Sequence, residues 1–285
     1  MTSSTSSTPP ATKFERSQNV ITARALGVRE RYAETSSQWC NFLIYGDFGT
    51  GKTQTLATAP KPIFIDSFDP GGTKTAALQP LIESGDIIVE NKWETDSWKK
   101  PFAFREWEKE IEARKKDDFF SHIGTYALDS VTKWADSMMF AILKSGTAGT
   151  SRVGKTPEQQ DYLAQQFTSV DWLGVLMGLP CHVIVTGHIG LTRDEVTGGM
   201  ESGLMLAGKN SEKVPLVFDE KYVTRTITKS SGTTYELLVK NEGRYKAETR
   251  IGGIKFNPIE EPNIKALLKK AGKSWEDRPS LFSSS

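Results

Sequence analysis

Two segments of the chain match the pattern G-x-x-x-x-G-K-[S/T], which binds the phosphates of a nucleotide. They are GDFGTGKT at 46–53 and GTSRVGKT at 149–156. In this pattern the backbone N–H groups of a glycine-rich turn surround the phosphates, the lysine reaches the β- and γ-phosphates, and the hydroxyl binds Mg²⁺. A working loop also needs a buried strand before it and a helix that begins at the lysine. The neighbouring sequence therefore decides which match is a nucleotide site.

The first match has both neighbours. The apolar run NFLIY at 41–45 predicts a buried strand, and KTQTLATA at 52–59 predicts a helix. The glycines of this segment let the backbone wrap around a phosphate. We therefore predict that 46–53 is a phosphate loop. The expected nucleotide contacts are Gly46, Asp47, Phe48, Gly49, Thr50, Gly51, Lys52, Thr53 and Gln54.

The second match lacks both neighbours. The residues before it read as a helix and a flexible Gly/Ser/Thr segment, and Pro157 follows its threonine directly. Proline has no N–H to offer a phosphate, and it disfavours the helical conformation in the residue before it. Thr156 instead fits an N-cap, with Pro157 at the first helical position and Gln159 at the third, as in a capping box. We predict no nucleotide site at 149–156.

A phosphate loop needs a carboxylate that helps its hydroxyl to hold Mg²⁺, usually at the end of a buried strand. Asp129 ends the apolar segment TYALDS at 125–130, so we predict that Thr53 and Asp129 bind the metal. Asp129 also fits a cap of the helix that begins near Val131, and both roles are compatible.

Three further side chains follow predicted strands at the same edge of the sheet. Asp66 and Asp69 lie in PIFIDSFDPGG at 62–72, where either could polarise the water that attacks the γ-phosphate. Asp69 is also typical of a turn, because Pro-Gly-Gly follows it. His188 follows the strand at 181–187 and could sense the γ-phosphate, or could be only a polar residue at a strand end.

Apolar runs alternate with helical patterns from residue 39 to 187, which predicts a mostly parallel sheet covered by helices. The remaining strands are expected at 62–67, 86–90 and 125–130, and the helices at 101–116, after 131 and at 157–177. Three runs at 222–229, 233–240 and 244–250 then predict an antiparallel meander. The expected fold class is α/β. We divide the chain into a disordered or linker segment at 1–38, a core at 39–259, and a basic helix with a tail at 260–285.

The composition excludes few functions. Lys and Arg number 36 and Asp and Glu 35, which argues against a polycation that coats nucleic acid. The N-terminal residues lack the features of a signal peptide, and no apolar run is long enough to span a membrane. We expect a cytoplasmic protein without membrane contact. For residues 13–38 both a short amphipathic helix and a strand that packs on a neighbouring subunit remain open.

The order of these parts resembles the RecA-like recombinase core. It looks most like phage-encoded AAA/RecA-type nucleotide-binding proteins, some of which act in single-strand annealing and recombination. The resemblance covers about 39–259 and is carried by GDFGTGKT, IFIDSFD, YALDS, VIVTGH and GKNSEKVPLVFDE. It implies a P-loop ATPase that uses ATP and Mg²⁺, forms a homo-oligomeric ring or filament, and is stimulated by single-stranded DNA. A phage origin would place it in the cytoplasm of a bacterial host.

The resemblance also implies two DNA-binding loops, at 145–156 and 189–213. The cationic candidates are Arg152, Lys155, Arg193, Lys209 and Lys213. In the family a Lys or Arg often reaches the γ-phosphate on a neighbouring subunit, and the last two lysines resemble that pair. Neither loop contains an aromatic residue for base stacking. The first loop could equally be a solvated linker with two incidental charges.

One residue departs from the recombinase pattern. Recombinases have a Glu two residues beyond the Asp of the second strand, but here that position is Phe68, with Asp69 next to it. Slow hydrolysis, substitution by Asp69 and a scaffold that binds nucleotide without hydrolysis are all compatible with this. An AAA-class assembly or motor component acting on protein or duplex DNA is the main alternative function, and a small-molecule kinase fits less well. A single-strand-binding protein is a possible partner.

Overall fold

A computed structural model describes residues 13–36, 38–146, 150–193, 198–230 and 232–282 of the chain. The chain divides into two compact units, residues 1–38 and 39–285. In the first unit helix α1 spans Lys13–Ser36. Of the helix and the strand left open for residues 13–38, the structure has the helix. Residues 1–12 of the predicted disordered or linker segment, and residues 283–285 at the end of the predicted tail, lie outside the described residues. No helix among the described residues is long and apolar enough to cross a membrane.

The second unit contains the remaining helices and strands. The strands are β1 (Asn41–Gly46), β2 (Ile63–Ser67), β3 (Ile87–Glu90), β4 (Thr125–Asp129), β5 (His182–Arg193), β6 (Met200–Leu204), β7 (Glu220–Lys229), β8 (Gly232–Leu238), β9 (Glu248–Thr249) and β10 (Ile259–Glu260). The helices are α2 (Lys52–Leu56), α3 (Gln79–Glu83), α4 (Ala103–Lys116), α5 (Val131–Ser145), α6 (Gln159–Met177), α7 (Asn210–Lys213) and α8 (Ile264–Ala271). Short 3₁₀ helices lie at Lys92–Thr95, Phe119–His122 and Val214–Val217.

The described strands form one sheet with the order β10-β8-β7-β1-β5-β4-β2-β3. The five pairs that join β7, β1, β5, β4, β2 and β3 are all parallel. Strands β8 and β10 extend the sheet in antiparallel fashion, and β9 pairs with β7. The predicted α/β fold class, with a mostly parallel sheet and antiparallel strands toward the C-terminus, is confirmed.

Side chains of a strand point alternately to opposite faces of the sheet, and in the central strands both faces are buried. Within β1, Phe42 and Ile44 pack into one apolar cluster, whereas Leu43 and Tyr45 pack into the other. Helices α4, α5 and α6 cover the face of Leu43. Helices α2 and α8 cover the opposite face, so the segment at 260–285 contributes to the core of this unit. Layers of helices on both faces hold the strand ends in fixed positions.

The carboxyl ends of β1, β2, β4 and β5 meet at one edge of the sheet. Gly46 pairs in register with His188, and Ser67 pairs with Asp129. Ligands of open parallel sheets bind at this edge. The fold therefore brings the predicted site residues together although they are far apart in sequence.

The predicted meander differs from the observed strands. Strand β7 lies parallel to β1 and thus belongs to the central sheet. The run at 244–250 forms only the two-residue strand β9, which pairs with β7 and not with β8. Glu242 and Tyr245 exchange backbone hydrogen bonds of 3.2 and 3.0 Å, and the Asn241 side chain accepts the N–H of Ala247 at 2.9 Å. These bonds hold the chain in a loop before β9, which explains why the predicted third strand is short.

The segment at 189–213, predicted as a long loop, contains regular structure. Strand β5 continues to Arg193 and pairs with β6 as an antiparallel hairpin, and α7 follows. Buried Leu204 pairs with Ile189, and it packs so close to Gly187 that a Cβ there would lie 2.4 Å from its methyl carbon. The prediction of a loop is therefore wrong for the described part, because this leucine packs the hairpin against the core. Residues 194–197 lie outside the described residues.

Helix α6 begins two residues later than predicted. Its N-cap is Glu158, and Asp161 at the third helical position accepts the N–H of Glu158 at 2.7 Å. The prediction of Thr156 as the N-cap is wrong. The capping box is present, but both of its residues are acidic. Arg152 forms ion pairs with both of them. This ion-pair cluster is not visible in the local pattern of the helix start.

Candidate active site

The phosphate loop at 46–53 connects β1 to α2. Gly49 and Gly51 have φ values of 73° and 88°, in the left-handed region that favours glycine. Gly46 has no space for a side chain, since a Cβ there would lie 2.3 Å from the Thr224 hydroxyl oxygen. The hydroxyl of Thr50 contacts that of Thr224 at 2.8 Å and fastens the loop to β7. The predicted strand, loop and helix are all present.

The Lys52 side chain is buried inside the loop. Its ammonium group donates to the backbone carbonyls of Gly46 at 3.1 Å and Asp47 at 2.8 Å. Burial lowers the pKa of Lys52, whereas the nearby carboxylates of Asp129, Asp69 and Asp47 act in the opposite direction. The loop thus holds this amine close to three acidic residues, where its charge can attract a phosphate.

Asp129 lies buried at the end of β4, directly beside the phosphate loop. One carboxylate oxygen accepts the Thr53 hydroxyl at 3.3 Å, and the other accepts the hydroxyl of Thr186 on β5. Burial is the main cause that raises the pKa of Asp129, and the negative charge of Asp69 adds to it. The N-cap of α5 is Ser130, so the contacts of the Asp129 carboxylate point to the loop and β5, not to a helix cap.

This oxygen donor set fits Mg²⁺. The metal prefers oxygen ligands and is usually bound by one or two carboxylates together with substrate phosphates. The Thr53 hydroxyl and the Asp129 carboxylate already contact each other, and the described residues contain no cluster of three His, Cys, Asp or Glu side chains that would hold a metal alone. A metal at this place would therefore need the phosphates of a nucleotide to complete its ligands.

Asp69 and His188 form a pair at the mouth of the site. The His188 Nε2 lies 2.8 Å from an Asp69 carboxylate oxygen, and both side chains are about a quarter exposed. This hydrogen bond is the main cause that holds the pKa of Asp69 below its ordinary value. The backbone N–H groups of Phe68 and Asp69 both donate to the Asp129 carbonyl, at 2.6 and 3.2 Å. The pair is thus fixed beside the predicted metal ligand.

Comparison with known proteins agrees with this geometry. Residues 39–251 match the family model described as an AAA domain, AAA_24. The chain belongs to this AAA domain family. No curated protein sequence matches the chain. Among solved structures, a KaiC-like protein from Pyrococcus horikoshii OT3 is similar at 12% identity and a TM-score of 0.41, covering 75% of this chain and 83% of that one. The flagellar accessory protein FlaH from Methanocaldococcus jannaschii has 11% identity and a TM-score of 0.41, covering 78% and 84%.

Membership in this AAA domain family makes the chain a P-loop nucleotide-binding protein of the ATPase class. The predicted P-loop nucleotide-binding core is confirmed at this level. The nucleotide of such a family is bound through the phosphate loop, with Mg²⁺ as its usual companion. The described loop, with Lys52 inside and Thr53 against Asp129, supplies the side chains that this chemistry needs.

Asp66 does not belong to the catalytic edge of the AAA domain. Its carboxylate is fully buried and accepts from four groups: Trp93 Nε1 at 2.9 Å, Trp107 Nε1 at 3.2 Å, the Tyr126 hydroxyl at 2.8 Å and the Arg114 guanidinium at 2.9 Å. These donors occupy the oxygens that would have to orient a water. The prediction of Asp66 as a catalytic residue is therefore corrected: it holds together an aromatic cluster beneath α4. Asp69 is the carboxylate of this segment that reaches the site.

Glu94 is a site residue that the sequence did not indicate. One of its carboxylate oxygens accepts the Ser67 hydroxyl at 2.7 Å, and the other accepts the Gly71 N–H at 3.2 Å. These two partners lie on either side of Asp69, so Glu94 closes the segment that carries it. The residue before Glu94, Trp93, stacks on Phe68 with 6.0 Å between ring centres. The 3₁₀ helix at Lys92–Thr95 is distant in sequence, and no local pattern links it to Asp69.

The cationic candidates for DNA contact differ in their surroundings. Arg152 pairs with Glu158 at 3.1 Å and with Asp161, and its side chain is only 12% exposed. Its prediction as a DNA contact is corrected, since these ion pairs fasten the start of α6. Lys155, Lys209 and Lys213 are exposed. Arg193 ends β5, and its side chain lies outside the described part of the chain.

The contacts of Asp66 predict a large effect on stability. Asp66→Ala leaves the Arg114 charge and several buried donors without their acceptor, so the free energy of unfolding should fall by about 3–5 kcal/mol. Urea unfolding followed by tryptophan fluorescence measures this change. Asp136→Ala, which removes an exposed carboxylate on α5, serves as the control and should change it by less than about 1 kcal/mol. Equal stability of both variants would contradict the assignment of Asp66 to the core.

The position of Glu94 predicts a specific effect on turnover. Glu94→Ala frees the segment at 67–71, so ATP hydrolysis should slow by about ten- to hundredfold in kcat while the KM for ATP changes little. Glu94→Gln keeps one acceptor oxygen and should retain more activity than Glu94→Ala. Steady-state kinetics of both variants test this, with Glu106→Gln on the exposed side of α4 as the control. A change confined to KM, or no change in either constant, would exclude a positioning role.

Proposed function

We propose that the chain is a Mg²⁺-dependent ATPase that binds single-stranded DNA, assembles into a homo-oligomeric ring or filament, and promotes annealing or recombination. The observation that carries the ATPase part is the Asp69–His188 pair beside Lys52 and the Thr53–Asp129 contact. All these groups lie at one sheet edge. The DNA part is supported by exposed lysines on the segments that follow the site.

In this mechanism Lys52 binds the β- and γ-phosphates and offsets their negative charge. Thr53 and Asp129 would hold Mg²⁺, which would supply positive charge to neutralise the phosphates. Asp69, ionised at neutral pH like an ordinary aspartate, orients the attacking water and accepts a proton from it. His188 fixes the direction of the Asp69 carboxylate through their 2.8 Å contact. Catalysis therefore rests on positioning and on charge stabilisation.

His188 also provides a route from the nucleotide to the rest of the surface. It lies within β5, and its carbonyl accepts the N–H of Met205 at 2.8 Å, directly after β6. Its own N–H donates to the Thr132 hydroxyl at 3.2 Å. A shift of His188 on binding or hydrolysis of ATP would thus move the base of the β5–β6 hairpin. This arrangement supports coupling between nucleotide state and a binding surface.

Three exposed lysines support contact with a polyanion. Lys155 lies after α5, and Lys209 and Lys213 lie at α7, beyond the hairpin. None of them forms an ion pair with an acidic side chain in the described part of the chain. In an oligomer Lys209 or Lys213 would be placed to approach the nucleotide of a neighbouring subunit. The near-neutral total charge requires that any DNA contact be local, as these lysines provide.

Hydrolysis assays with and without DNA test this function. Lys52→Ala should lower ATP turnover at least about hundredfold, because the phosphate charge loses its buried counterion. Turnover of the wild-type chain should rise when single-stranded DNA is added. Lys155→Ala serves as the matched control and should bind ATP normally, because the second motif is no nucleotide site.

Two results would contradict the proposal. Loss of ATP affinity in Lys155→Ala would mean that 149–156 contributes to a nucleotide site. Turnover that responds to duplex DNA or to a protein, but not to single strands, would favour an AAA-class motor or assembly component instead.

A further inference from the structure

An exposed tryptophan lies beside the catalytic segment. Trp98 is 44% exposed in a turn where Ser97 and Lys100 form an antiparallel bridge. The turn lies between the 3₁₀ helix at Lys92–Thr95 and α4, and Lys99 and Lys100 beside the indole are also exposed. An exposed aromatic ring between cationic side chains is the arrangement that stacks a base and contacts its phosphates.

The indole lines a cleft of about 250 Å³ that reaches the active-site segment. The apolar part of its lining includes Phe68, Pro70, Trp93 and Phe140. Its charged lining residues are Lys133, Glu94, Asp96 and Asp136. Because Phe68 and Pro70 directly flank Asp69, a ligand in this cleft would touch the chain on both sides of the catalytic carboxylate. Strand β3 runs parallel to β2, which brings the turn to the same sheet edge.

The turn also lies close to the first predicted DNA loop. The Lys144 ammonium, in the last turn of α5, donates to the Pro101 carbonyl at 2.9 Å. The neighbouring Leu143 carbonyl accepts the N–H of Arg152 at 2.7 Å. The end of α5 therefore contacts both Pro101, in the chain after Trp98, and Arg152. An aromatic residue, which both predicted loops lack, is present next to the first of them.

Three nearby acidic side chains have hydrogen-bond or ion-pair contacts within the protein. Glu94 accepts from Ser67 and Gly71, as described above. Asp96 accepts the backbone N–H groups of Phe102 at 2.8 Å and Ala103 at 3.3 Å. Asp136 pairs with Lys133 at 3.2 Å. Lys99 and Lys100, in contrast, are exposed and form no ion pair with an acidic side chain in the described ranges, so two cations are available directly beside the indole.

We propose that the turn at 97–100 binds single-stranded DNA, with a base stacked on Trp98 and phosphates bound by Lys99 and Lys100. This inference rests on the proposed function and names a contact outside the two predicted loops. It also supplies a link to catalysis: Trp93 stacks on Phe68, and Glu94 closes the segment around Asp69. DNA held at the turn would order that segment, and ATP hydrolysis would then rise.

Binding of a fluorescently labelled oligo(dT) strand, measured by anisotropy, tests the turn. Trp98→Ala should weaken binding about tenfold, because it removes a base-stacking surface. Trp98→Phe should restore a large part of the affinity, since the aromatic face remains. Replacing Lys99 and Lys100 with Ala should reduce the slope of log affinity against log salt by about 1.4, as expected for two single-strand phosphate contacts.

The controls separate this inference from the proposed function. Phe167→Ala removes an even more exposed aromatic residue, from α6, and should leave oligo(dT) binding unchanged. ATP affinity without DNA should stay normal in every variant. If the wild-type chain binds no oligo(dT), the proposed DNA function fails and the turn assignment fails with it. If it binds, and Trp98→Ala and the double lysine variant bind equally well, only the turn assignment is wrong. If Trp98→Ala does not fold, Trp98→Phe and the lysine variant still decide.

Discussion

The buried carboxyl of Asp129 is the interaction on which the site depends. Its side chain accepts hydroxyls from Thr53 in the phosphate loop and Thr186 on β5, and its backbone carbonyl accepts the N–H groups of Phe68 and Asp69. One residue at the end of β4 thus connects the start of α2, strand β5 and the segment after β2. A buried carboxylate is costly unless such donors or a cation satisfy it, which explains why hydroxyls surround it on both sides. A metal ion held together with Thr53 would offset the negative charge of the Asp129 carboxylate.

In the proposed mechanism Asp69 orients the water, and contacts of His188 and Glu94 set its position. Asp69 is turned toward the site by His188, and Glu94 closes the chain around it through Ser67 and Gly71. The Phe68 ring points instead into the aromatic cluster with Trp93 and Trp107. The position that carries Glu in recombinases is therefore used here for packing, and its neighbour Asp69 contacts His188 at the mouth of the site. This division of roles is consistent with catalysis through Asp69.

Local sequence patterns predicted the parts of the fold that local physics determines. The strand before Gly46 and the glycine turn that follows need only apolar residues and free backbone angles, and both are present. The place of Asp129 at a strand end predicted that it lies near the phosphate loop, and its side chain contacts Thr53 there. Asp66 could not be told apart from Asp69 in this way, because its role depends on Trp93, Trp107 and Arg114, which lie far along the chain.

Other features could not be predicted because distant partners decide them. The start of α6 depends on the ion pairs of Arg152, and the hairpin after His188 depends on the packing of Leu204. Glu94 reaches the site only through the parallel pairing of β2 and β3. Composition alone made the segment after His188 look like a loop. Residues that join separate elements therefore need the fold before their role can be seen.

The central claim is that Asp69, held by His188, orients the water at this site. Single-turnover hydrolysis of bound ATP by Asp69→Asn tests it most directly, since the step is then separated from ATP binding and product release. Asp69→Asn should bind ATP and Mg²⁺ normally and hydrolyse ATP about 100-fold or more slowly than the wild type. Hydrolysis at the wild-type rate in this variant would contradict the account.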